Sequence, residues 1–438
     1  MRLLESRISM ATSPVFETAS SKGAAADSGE RFFPKTPKSV VELGISQNIL
    51  VDLMLKLTLL EGATTLARLS GFMKVSGSIC DVVFHHLRKE QYVEVKGMKG
   101  NDYEFALTSA GRKVANDRYK ISQYVGPAPV PLDAYTQAVR KQAVQHKLNR
   151  EHLKKVFYDL VLTEEMLDQL GPAIISNSQI FLYGSTGNGK TSIAERLVRV
   201  FDDTVYLPYA IEVQGQIINV FDSVVHQPLE ADENLDARWV RCERPCIAVG
   251  GEMVQEMLEL RFEESLGYYT APLQMKANNG LLIIDDFGRQ MINPRDLLNR
   301  WIVPLDRGID FLSLRTGVKF PIPFETMVIF STNLDPRQLA DEAFLRRIQN
   351  KIKVETITAE IFDRILQRVC ESSNIPWKPE LAEYVREKCS IDGKKTVLRA
   401  CYPRDIVTII KNIAKYENRE PRLVKEDIDR AANLYFAR

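Results

Sequence analysis

The sequence lacks several features that would assign it to a special class of protein. No apolar run reaches the roughly 18 residues that a transmembrane helix needs, and the N-terminus lacks the apolar core of a signal peptide. Cysteines number six in 438 residues, and only Cys242 and Cys246 lie close together, without a second Cys or His pair to complete a zinc site. We therefore expect reduced thiols in a soluble, cytoplasmic protein that does not insert into a membrane.

An excess of charge of either sign is also missing. Lys and Arg number 58 against 57 Asp and Glu, so the formal net charge of +1 gives no indication of a nucleic acid or an anionic membrane as partner. The five histidines do not cluster with carboxylates or cysteines, so we expect surface or packing roles for them. Apolar residues, at 45%, suffice for real cores, and the length predicts two or three domains.

The N-terminal third of the chain changes character once. Residues 1–38 are rich in Ser, Ala, Thr and Gly and have no apolar periodicity, which predicts a disordered tail. Residues 39–124 follow the order helix, helix, helix, strand, turn, strand, which is typical of a winged helix-turn-helix domain. This domain is expected to bind a partner, either DNA or protein.

The charges of residues 39–124 favour a protein partner. Eleven basic minus nine acidic side chains give a net charge of +2, whereas a dedicated DNA binder carries a clustered basic stripe. The third helix, 76–88, presents Asp81 and two histidines where Arg and Lys would be expected. Lys96 and Lys99, on the turn between the strands, keep DNA binding open as the alternative.

The rest of the chain divides into three further parts. Three prolines within 126–131 predict a stiff linker, which we extend over residues 125–145. A helical stretch is predicted at about 133–170. From 179 to about 356, β-type apolar runs alternate with amphipathic helices, which predicts an α/β domain with a parallel sheet over residues 146–356. Residues 357–438 contain helical patterns only.

A phosphate-binding loop stands between a strand pattern at 180–183 and a helical pattern. It matches G-x4-G-K-T in the strand–loop–helix context that this motif requires. Its glycines let backbone N–H groups turn toward the β-phosphate of ATP, and the helix N-terminus adds its positive end. Lys190 is expected to reach the β- and γ-phosphates, and the Thr191 hydroxyl to hold Mg²⁺. The expected nucleotide-binding residues are Gly184, Ser185, Thr186, Gly187, Asn188, Gly189, Lys190, Thr191 and Ser192.

Two carboxylates follow a second buried-strand pattern, at 280–284. Ligands of parallel sheets bind at the carboxyl ends of the strands, where Asp285 and Asp286 stand. We expect Asp285 to hold Mg²⁺ through its water shell and Asp286 to orient and polarise the attacking water.

Three more segments resemble elements of the AAA+ ATPases. The strand pattern that ends in Asn333 resembles the sensor-1 element, and the resemblance implies that Asn333 positions the attacking water. The segment with Arg346 and Arg347 resembles the one that carries an arginine finger, with Arg347 as the favoured finger. Arg404 stands in a segment that resembles sensor 2, which implies contact with the γ-phosphate.

The AAA+ resemblance covers residues 179–438 and implies a P-loop parallel sheet with a C-terminal helical lid. It further implies ATP and Mg²⁺ as cofactors and assembly into a ring, expected to be a hexamer. AAA+ proteins more often carry Glu at the position of Asp286, and Asp is shorter by one methylene group. Either the strand lies closer to the γ-phosphate here, or hydrolysis is slow.

Features around the acidic strand resemble one branch of this class. Residues 267–280 look like the helix-2 insert of MoxR-type ATPases, and a hairpin is predicted at 309–324, before sensor 1, as in that branch. A second hairpin is predicted at 211–220. Residues 285–290 and 296–301 resemble uncharacterised bacterial, chaperone-like ATPases that are linked to Flp pilus assembly.

Three functions stay open at this point: a remodeller of protein partners, a DNA-directed machine or transcription regulator anchored by the winged helix, and a nucleotide switch with negligible turnover. The client is not indicated. Tyr268 and Tyr269 lie between a predicted helix at 253–262 and the acidic strand. They are expected either to grip a client from an exposed position or to pack in the core.

Overall fold

The computed structural model describes residues 32–144, 148–232, 234–339, 345–389 and 397–436. Most of the predicted tail, 1–31, lies outside the described residues, whereas its last residues are packed. The Phe32 ring lies 5.5 Å from that of Trp239, and the backbone of Asp236 donates to the Pro34 carbonyl at 2.9 Å. Residues 32–38 are therefore part of the folded structure.

The N-terminal unit has the predicted order of elements, with one added strand. Its helices are α1 (Gln47–Glu61), α2 (Leu66–Met73), α3 (Gly77–Lys89) and α4 (Ser109–Ile121). Its strands are β1 (Ala63–Thr65), β2 (Val93–Lys99) and β3 (Asp102–Leu107), which form an antiparallel sheet in the order β1-β3-β2. The hydroxyls of Ser46, Thr65 and Thr108 cap the N-termini of α1, α2 and α4.

The α/β class is confirmed by a five-stranded parallel sheet in the middle of the chain. Its strands are β5 (Ile180–Tyr183), β10 (Cys246–Val249), β13 (Leu281–Ile284), β16 (Met327–Thr332) and β17 (Asn350–Lys353). Their order is β10-β13-β16-β5-β17, and every neighbouring pair is parallel. The carboxyl ends of β5, β13 and β16 therefore meet at one edge.

Helices cover both faces of this sheet. Alternate strand residues enter two apolar clusters, as expected for strands buried on both sides. The helices of this part of the chain are α6 (Arg150–Val156), α7 (Glu164–Ile175), α8 (Lys190–Arg196), α10 (Pro294–Arg300), α11 (Ile302–Arg307) and α12 (Pro336–Leu339).

A second β layer lies between the N-terminal unit and the parallel sheet. One sheet has the order β11-β12-β8-β7-β4, formed by Arg261–Glu263, Tyr268–Thr270, Gln216–Asn219, Ala210–Val213 and Val130–Pro131. Two ribbons accompany it, namely β6 (Thr204–Pro208) with β9 (Trp239–Glu243), and β14 (Ile309–Ser313) with β15 (Lys319–Pro323). The two hairpins predicted at 211–220 and 309–324 are thus confirmed.

The predicted helix at 253–262 is wrong. A single 3₁₀ turn, Gln255–Leu258, is followed by strand β11. The apolar residues Leu258, Leu260 and Phe262 recur at every second position, which is the period of a strand. Pairing of β11 with β12 then decides in favour of the strand.

The segment predicted as a linker, 125–145, is packed against the rest of the chain over its described residues. β4 pairs with β7, and α5 (Leu132–Lys141) places Tyr135 and Ala138 in the core of the β layer. The guanidinium of Arg238, itself 4% exposed, pairs with Asp236 and donates to the carbonyls of Leu43 and Pro129. This buried ion pair fastens the N-terminal unit to the β layer.

The C-terminal unit contains only helices within its described residues, as predicted. They are α13 (Ala359–Ser372), α14 (Pro379–Cys389), α15 (Tyr402–Tyr416) and α16 (Lys425–Phe436), and they share one apolar cluster. In the middle of the chain, the short helix α9 (Leu273–Lys276) precedes β13. Over the described part of the chain, no helix has both the length and the apolar character required to cross a bilayer.

Candidate phosphate-binding and catalytic site

The loop between β5 and α8 has the backbone conformation that its glycines permit. Gly184, Gly187 and Gly189 have φ values of 140°, 82° and 89°, a region that favours glycine. A Cβ on Gly184 would lie 2.3 Å from the carbonyl oxygen of Val354, so no larger residue fits there. Gly189 is the N-cap of α8 and has no side chain to cap the helix. The first backbone N–H groups of α8 are therefore available to bind an anion.

The Lys190 ammonium group is buried at the base of this loop. It donates to the carbonyls of Gly184 and Ser185, at 2.9 and 3.0 Å, and to Oδ1 of Asn333 at 2.6 Å. Burial lowers the pKa of Lys190, and the charges of Asp285 and Asp286 oppose this shift. Lys190 is thus the cation of the site, held where the strand ends meet.

Thr191 and Asp285 are brought together as the metal-binding pair that the sequence predicts. The Thr191 hydroxyl donates to Oδ2 of Asp285 at 2.8 Å. One hydroxyl and one carboxylate are oxygen ligands of the kind that Mg²⁺ prefers, with water and phosphate oxygens completing its shell. These two residues therefore fit a Mg²⁺ ion.

Asp286 faces solvent at the carboxyl end of β13. Its backbone has a φ of 48°, in the left-handed region that Asp and Asn adopt more readily than other non-glycine residues. Its Oδ1 accepts a hydrogen bond from Nδ2 of Asn333 at 3.1 Å. Asn333 therefore connects Lys190 with Asp286, and the predicted sensor-1 residue lies inside the site.

A turn over residues 285–290 fixes the two carboxylates, and sequence analysis missed the residues that hold it. The Gln290 amide donates to the Asp285 carbonyl at 2.7 Å and accepts from the Gly288 backbone at 2.8 Å. The Thr332 hydroxyl donates to the Phe287 carbonyl at 2.6 Å. No motif indicates either contact, because each depends on how the turn lies against β16.

Within the described residues, no hydrogen bond joins the three predicted arginines to Lys190, Asp286 or Asn333. Arg347 donates from Nε to Oδ2 of Asp306 at 2.8 Å, whereas Arg346 beside it is exposed. Arg404 is exposed on α15, and its carbonyl accepts from Thr408. Phe344, which belongs to the predicted finger segment, lies outside the described residues.

The client-gripping hypothesis for the tyrosine pair is wrong. Tyr269 is 2% exposed in the core of the β layer, and its hydroxyl accepts from the Arg315 backbone at 3.0 Å. The ring of Tyr268 lies 5.5 Å from that of Tyr124 in the N-terminal unit. The pairing of β12 with β8 turns both rings toward packed surfaces, which is the alternative that the sequence left open.

The exposed side of α3 and of the β2–β3 hairpin mixes paired charges with apolar groups. His85 lies 3.5 Å from Asp81, and Lys96 pairs with Glu94 at 2.6 Å. Val82 on α3 and Met98 on β2 are 52% and 60% exposed, while Arg88, Lys89 and Lys99 are exposed beside them.

Comparison with known proteins adds one family match and several distant structural likenesses. Residues 358–434, which form the C-terminal helical unit, match a family model described as a domain of unknown function, DUF8689. No curated protein matches the chain.

The similar solved structures include RuvB of Thermotoga maritima. One RuvB mutant shares 12% identity with a TM-score of 0.38, over 64% of this chain and 73% of its own. A second RuvB mutant shares 11% identity with a TM-score of 0.37, over 63% of this chain and 70% of its own. A third structure, described as the RuvB Holliday junction branch migration motor, shares 12% identity with a TM-score of 0.36, over 67% of this chain and 72% of its own. Similarity at this level does not assign a function to the chain.

Proposed function

We propose that this chain is a Mg²⁺-dependent ATPase of the AAA+ class that works in a ring and remodels protein partners. The observation that supports the ATPase most directly is the Asn333 amide, which accepts from Lys190 and donates to Asp286. The side-chain amide of Asn333 thus holds Lys190, the cation for phosphate binding, close to Asp286, the carboxylate for activation of water. Such an arrangement suits hydrolysis of a phosphoanhydride rather than simple anion binding.

The residues divide the reaction between them. The loop amides and Lys190 bind the β- and γ-phosphates, and Thr191 with Asp285 would hold Mg²⁺, which neutralises charge on the phosphate oxygens. Asp286 accepts a hydrogen bond from the attacking water, and Asn333 keeps the Asp286 carboxylate oriented. The water oxygen bonds to the γ-phosphorus and gives up a proton to the Asp286 carboxylate, which passes it to solvent. The bond between the γ-phosphorus and the bridging oxygen breaks, and that oxygen leaves with ADP, so the products are ADP and phosphate.

The choice of Asp at position 286 is consistent with the local backbone. A φ of 48° is more easily adopted by Asp than by Glu, so the shorter side chain suits this turn. The switch with negligible turnover would require Asp286 to be too far from water to act. Its exposed carboxylate and its hydrogen bond to Asn333 favour turnover instead.

Arg347 can act on a neighbouring subunit only if the chain forms a ring, for which we propose a hexamer. In this ring Arg347 would enter the nucleotide site of the neighbouring subunit, and Arg404 would contact the γ-phosphate bound to its own subunit. These roles rest on the AAA+ resemblance. The MoxR-like branch is supported by the hairpin β14–β15 before sensor 1. The link to pilus assembly rests on the sequence resemblance alone.

A protein partner is favoured by the surface of the N-terminal unit, which we take to be a winged helix. Lys96 is paired with Glu94, and Asp81 places a negative charge on α3, while Val82 and Met98 offer apolar contacts. DNA-directed action is the second candidate, favoured by exposed Arg88, Lys89 and Lys99.

Nucleotide affinity of the whole chain tests the proposal. Lys190→Ala removes the buried cation and should abolish tight Mg·ATP binding, with hydrolysis falling to background. Exposed Lys99→Ala is the matched control and should bind ATP like the wild type. Affinity of the Lys190 variant within about threefold of wild type, or roughly 0.7 kcal/mol, would contradict the assignment.

An electrophoretic mobility shift at low and high salt separates the two partner classes. Binding that falls steeply with salt and is lost in Lys99→Glu would favour DNA. A pull-down with Asp286→Asn, which should hold ATP and any bound client, tests the protein class.

A further inference from the structure

Residues just before α15 in the C-terminal helical unit contact the phosphate-binding loop. The backbone N–H of Cys401 donates to the Gly187 carbonyl at 2.9 Å. A Cβ built on Gly187 would lie 2.7 Å from Sγ of Cys401 and 3.4 Å from Cδ of Arg399. Residues 399–401 therefore lie directly against the middle of the loop, just before α15 begins.

Unsatisfied polar groups gather at this contact. The Nε atom of Arg399 is buried and has no hydrogen-bond partner among the described residues. The residue as a whole is half-buried, and its guanidinium lies 5.8 Å from the centre of the Tyr402 ring. On the loop itself, Asn188 is 6% exposed, and neither its Nδ2 nor its Oδ1 has a hydrogen-bond partner within the described part of the chain. A buried donor such as this Nε–H is costly to leave without an acceptor.

We propose that Arg399 binds the phosphate chain of the nucleotide from the side of the helical unit. The proposal rests on the ATPase function argued above, because the bound nucleotide would then supply the acceptor that the Nε–H lacks. Arg399 lies at Gly187, in the middle of the loop, whereas Lys190 and Asp286 mark the end where hydrolysis takes place. Arg399 thus contacts a phosphate that ADP and ATP share.

This role differs from the one predicted for Arg404. Arg404 is exposed on α15, and its expected contact is the γ-phosphate, which only ATP carries. Arg399 precedes the helix and is fixed by its neighbour Cys401, whose N–H holds Gly187. The two arginines are distinguished by which nucleotide each one stabilises.

Affinities for Mg·ADP and Mg·ATP, measured on the full chain by calorimetry, test the proposal. Arg399→Gln keeps part of the stem that packs on Gly187 and removes the charge. Arg399→Gln should lower the affinities for both nucleotides about tenfold or more, which corresponds to about 1.4 kcal/mol. Arg399→Lys, which retains the charge without the planar fork, should lose less, and Arg404→Gln should weaken ATP but not ADP.

Two results with the Arg399→Gln variant overturn the proposal. Arg399→Gln overturns it if both affinities stay within about threefold of wild type, or if ATP alone is weakened. A wild-type chain that binds neither nucleotide would overturn the ATPase assignment as well, which separates the two failures.

Thermal unfolding of the variants without nucleotide shows whether a loss of affinity comes from a folding defect. If Arg399→Gln melts well below the wild type, Arg399→Lys becomes the deciding variant. A well-folded Arg399→Lys chain with unchanged affinities for both nucleotides would then contradict recognition by the guanidinium fork.

Discussion

Arg347 and Asp306 form an ion pair at 2.8 Å that joins the segment before β17 to the end of α11. The Arg347 side chain is 18% exposed and that of Asp306 is 40% exposed, so the pair sits at the surface rather than in the core. A finger must be held at a fixed angle to enter a neighbouring site. We therefore read Asp306 as the residue that would position Arg347.

Arg347→Ala should bind ATP normally and hydrolyse it about 10³-fold more slowly, because a finger contributes on this scale in related sites. Mixing it with Lys190→Ala subunits should restore some turnover, since each supplies what the other lacks. Steady-state phosphate release measures both effects. Arg346→Ala, beside it on the exposed surface, is the control, and loss of turnover in that variant instead would transfer the role to Arg346.

Asp286→Asn should retain ATP binding and lose hydrolysis. Asn tolerates the left-handed backbone as well as Asp does, so the substitution removes charge with little strain. We also expect a more stable ring, seen by analytical ultracentrifugation with ATP. Asp286→Glu should lower stability by about 1 kcal/mol because of the φ of 48°. Turnover near wild type in the Asn variant would mean that another residue positions the water.

Tyr269→Ala should destabilise the β layer by roughly 3–5 kcal/mol, as expected for a truncated buried aromatic. Tyr269→Phe loses only the hydrogen bond to the Arg315 backbone and should cost about 1 kcal/mol. Thermal unfolding of both variants measures the difference. If Tyr269→Ala melted like the wild type, the buried position of Tyr269 would be wrong.

Lys56→Met should stabilise the N-terminal unit in a pH-dependent manner. Lys56 is 3% exposed, and burial lowers its pKa from 10.5 to about 8. Between these values the unfolded chain holds a proton that the folded chain has released, so wild-type stability rises with pH. Below pH 8 the folded chain holds Lys56 in its charged form, and burial of this charge lowers the free energy of unfolding by about 3 kcal/mol for a pKa difference of this size.

The gain from Lys56→Met should accordingly be largest near pH 7 and fade toward pH 10.5. Urea unfolding at pH 7 and pH 10 measures it, with exposed Lys99→Met as control. Loss of the bond from Nζ to the Ser122 carbonyl offsets part of the gain. An equal gain at both pH values would show that burial of the charge is not the cause.

Features of the site that belong to a recognised motif were predictable from the sequence, including the meeting of Thr191 with Asp285 and of Lys190 with Asn333. Long-range contacts outside these motifs were not. The loop before Lys190 and the carboxylates after β13 each follow a strand within a few residues, so pattern and spacing identify them. The contact of Cys401 with Gly187 joins positions far apart in the chain, and no local pattern indicates it. The same holds for the Arg347–Asp306 pair and the Arg238 bonds.

The prediction of secondary structure failed where the sequence pattern fitted both a helix and a strand. Residues 253–262 contain enough Leu, Glu and Met for a helix, yet Leu258, Leu260 and Phe262 alternate as in a strand. Tertiary pairing with β12 selected the strand. Within 125–145 the extended segment and the helical pattern from about 133 correspond to β4 and α5. That this stretch packs against the β layer was not predictable, because prolines indicate stiffness and carry no information about what packs against them.

The buried Arg238 guanidinium carries a mechanical meaning. The guanidinium donates to the carbonyls of Leu43 and Pro129, so the N-terminal unit is fixed to the β layer by buried contacts and not only by the covalent chain. If the proposed ATPase changes the position of the β layer, the N-terminal unit would move together with it.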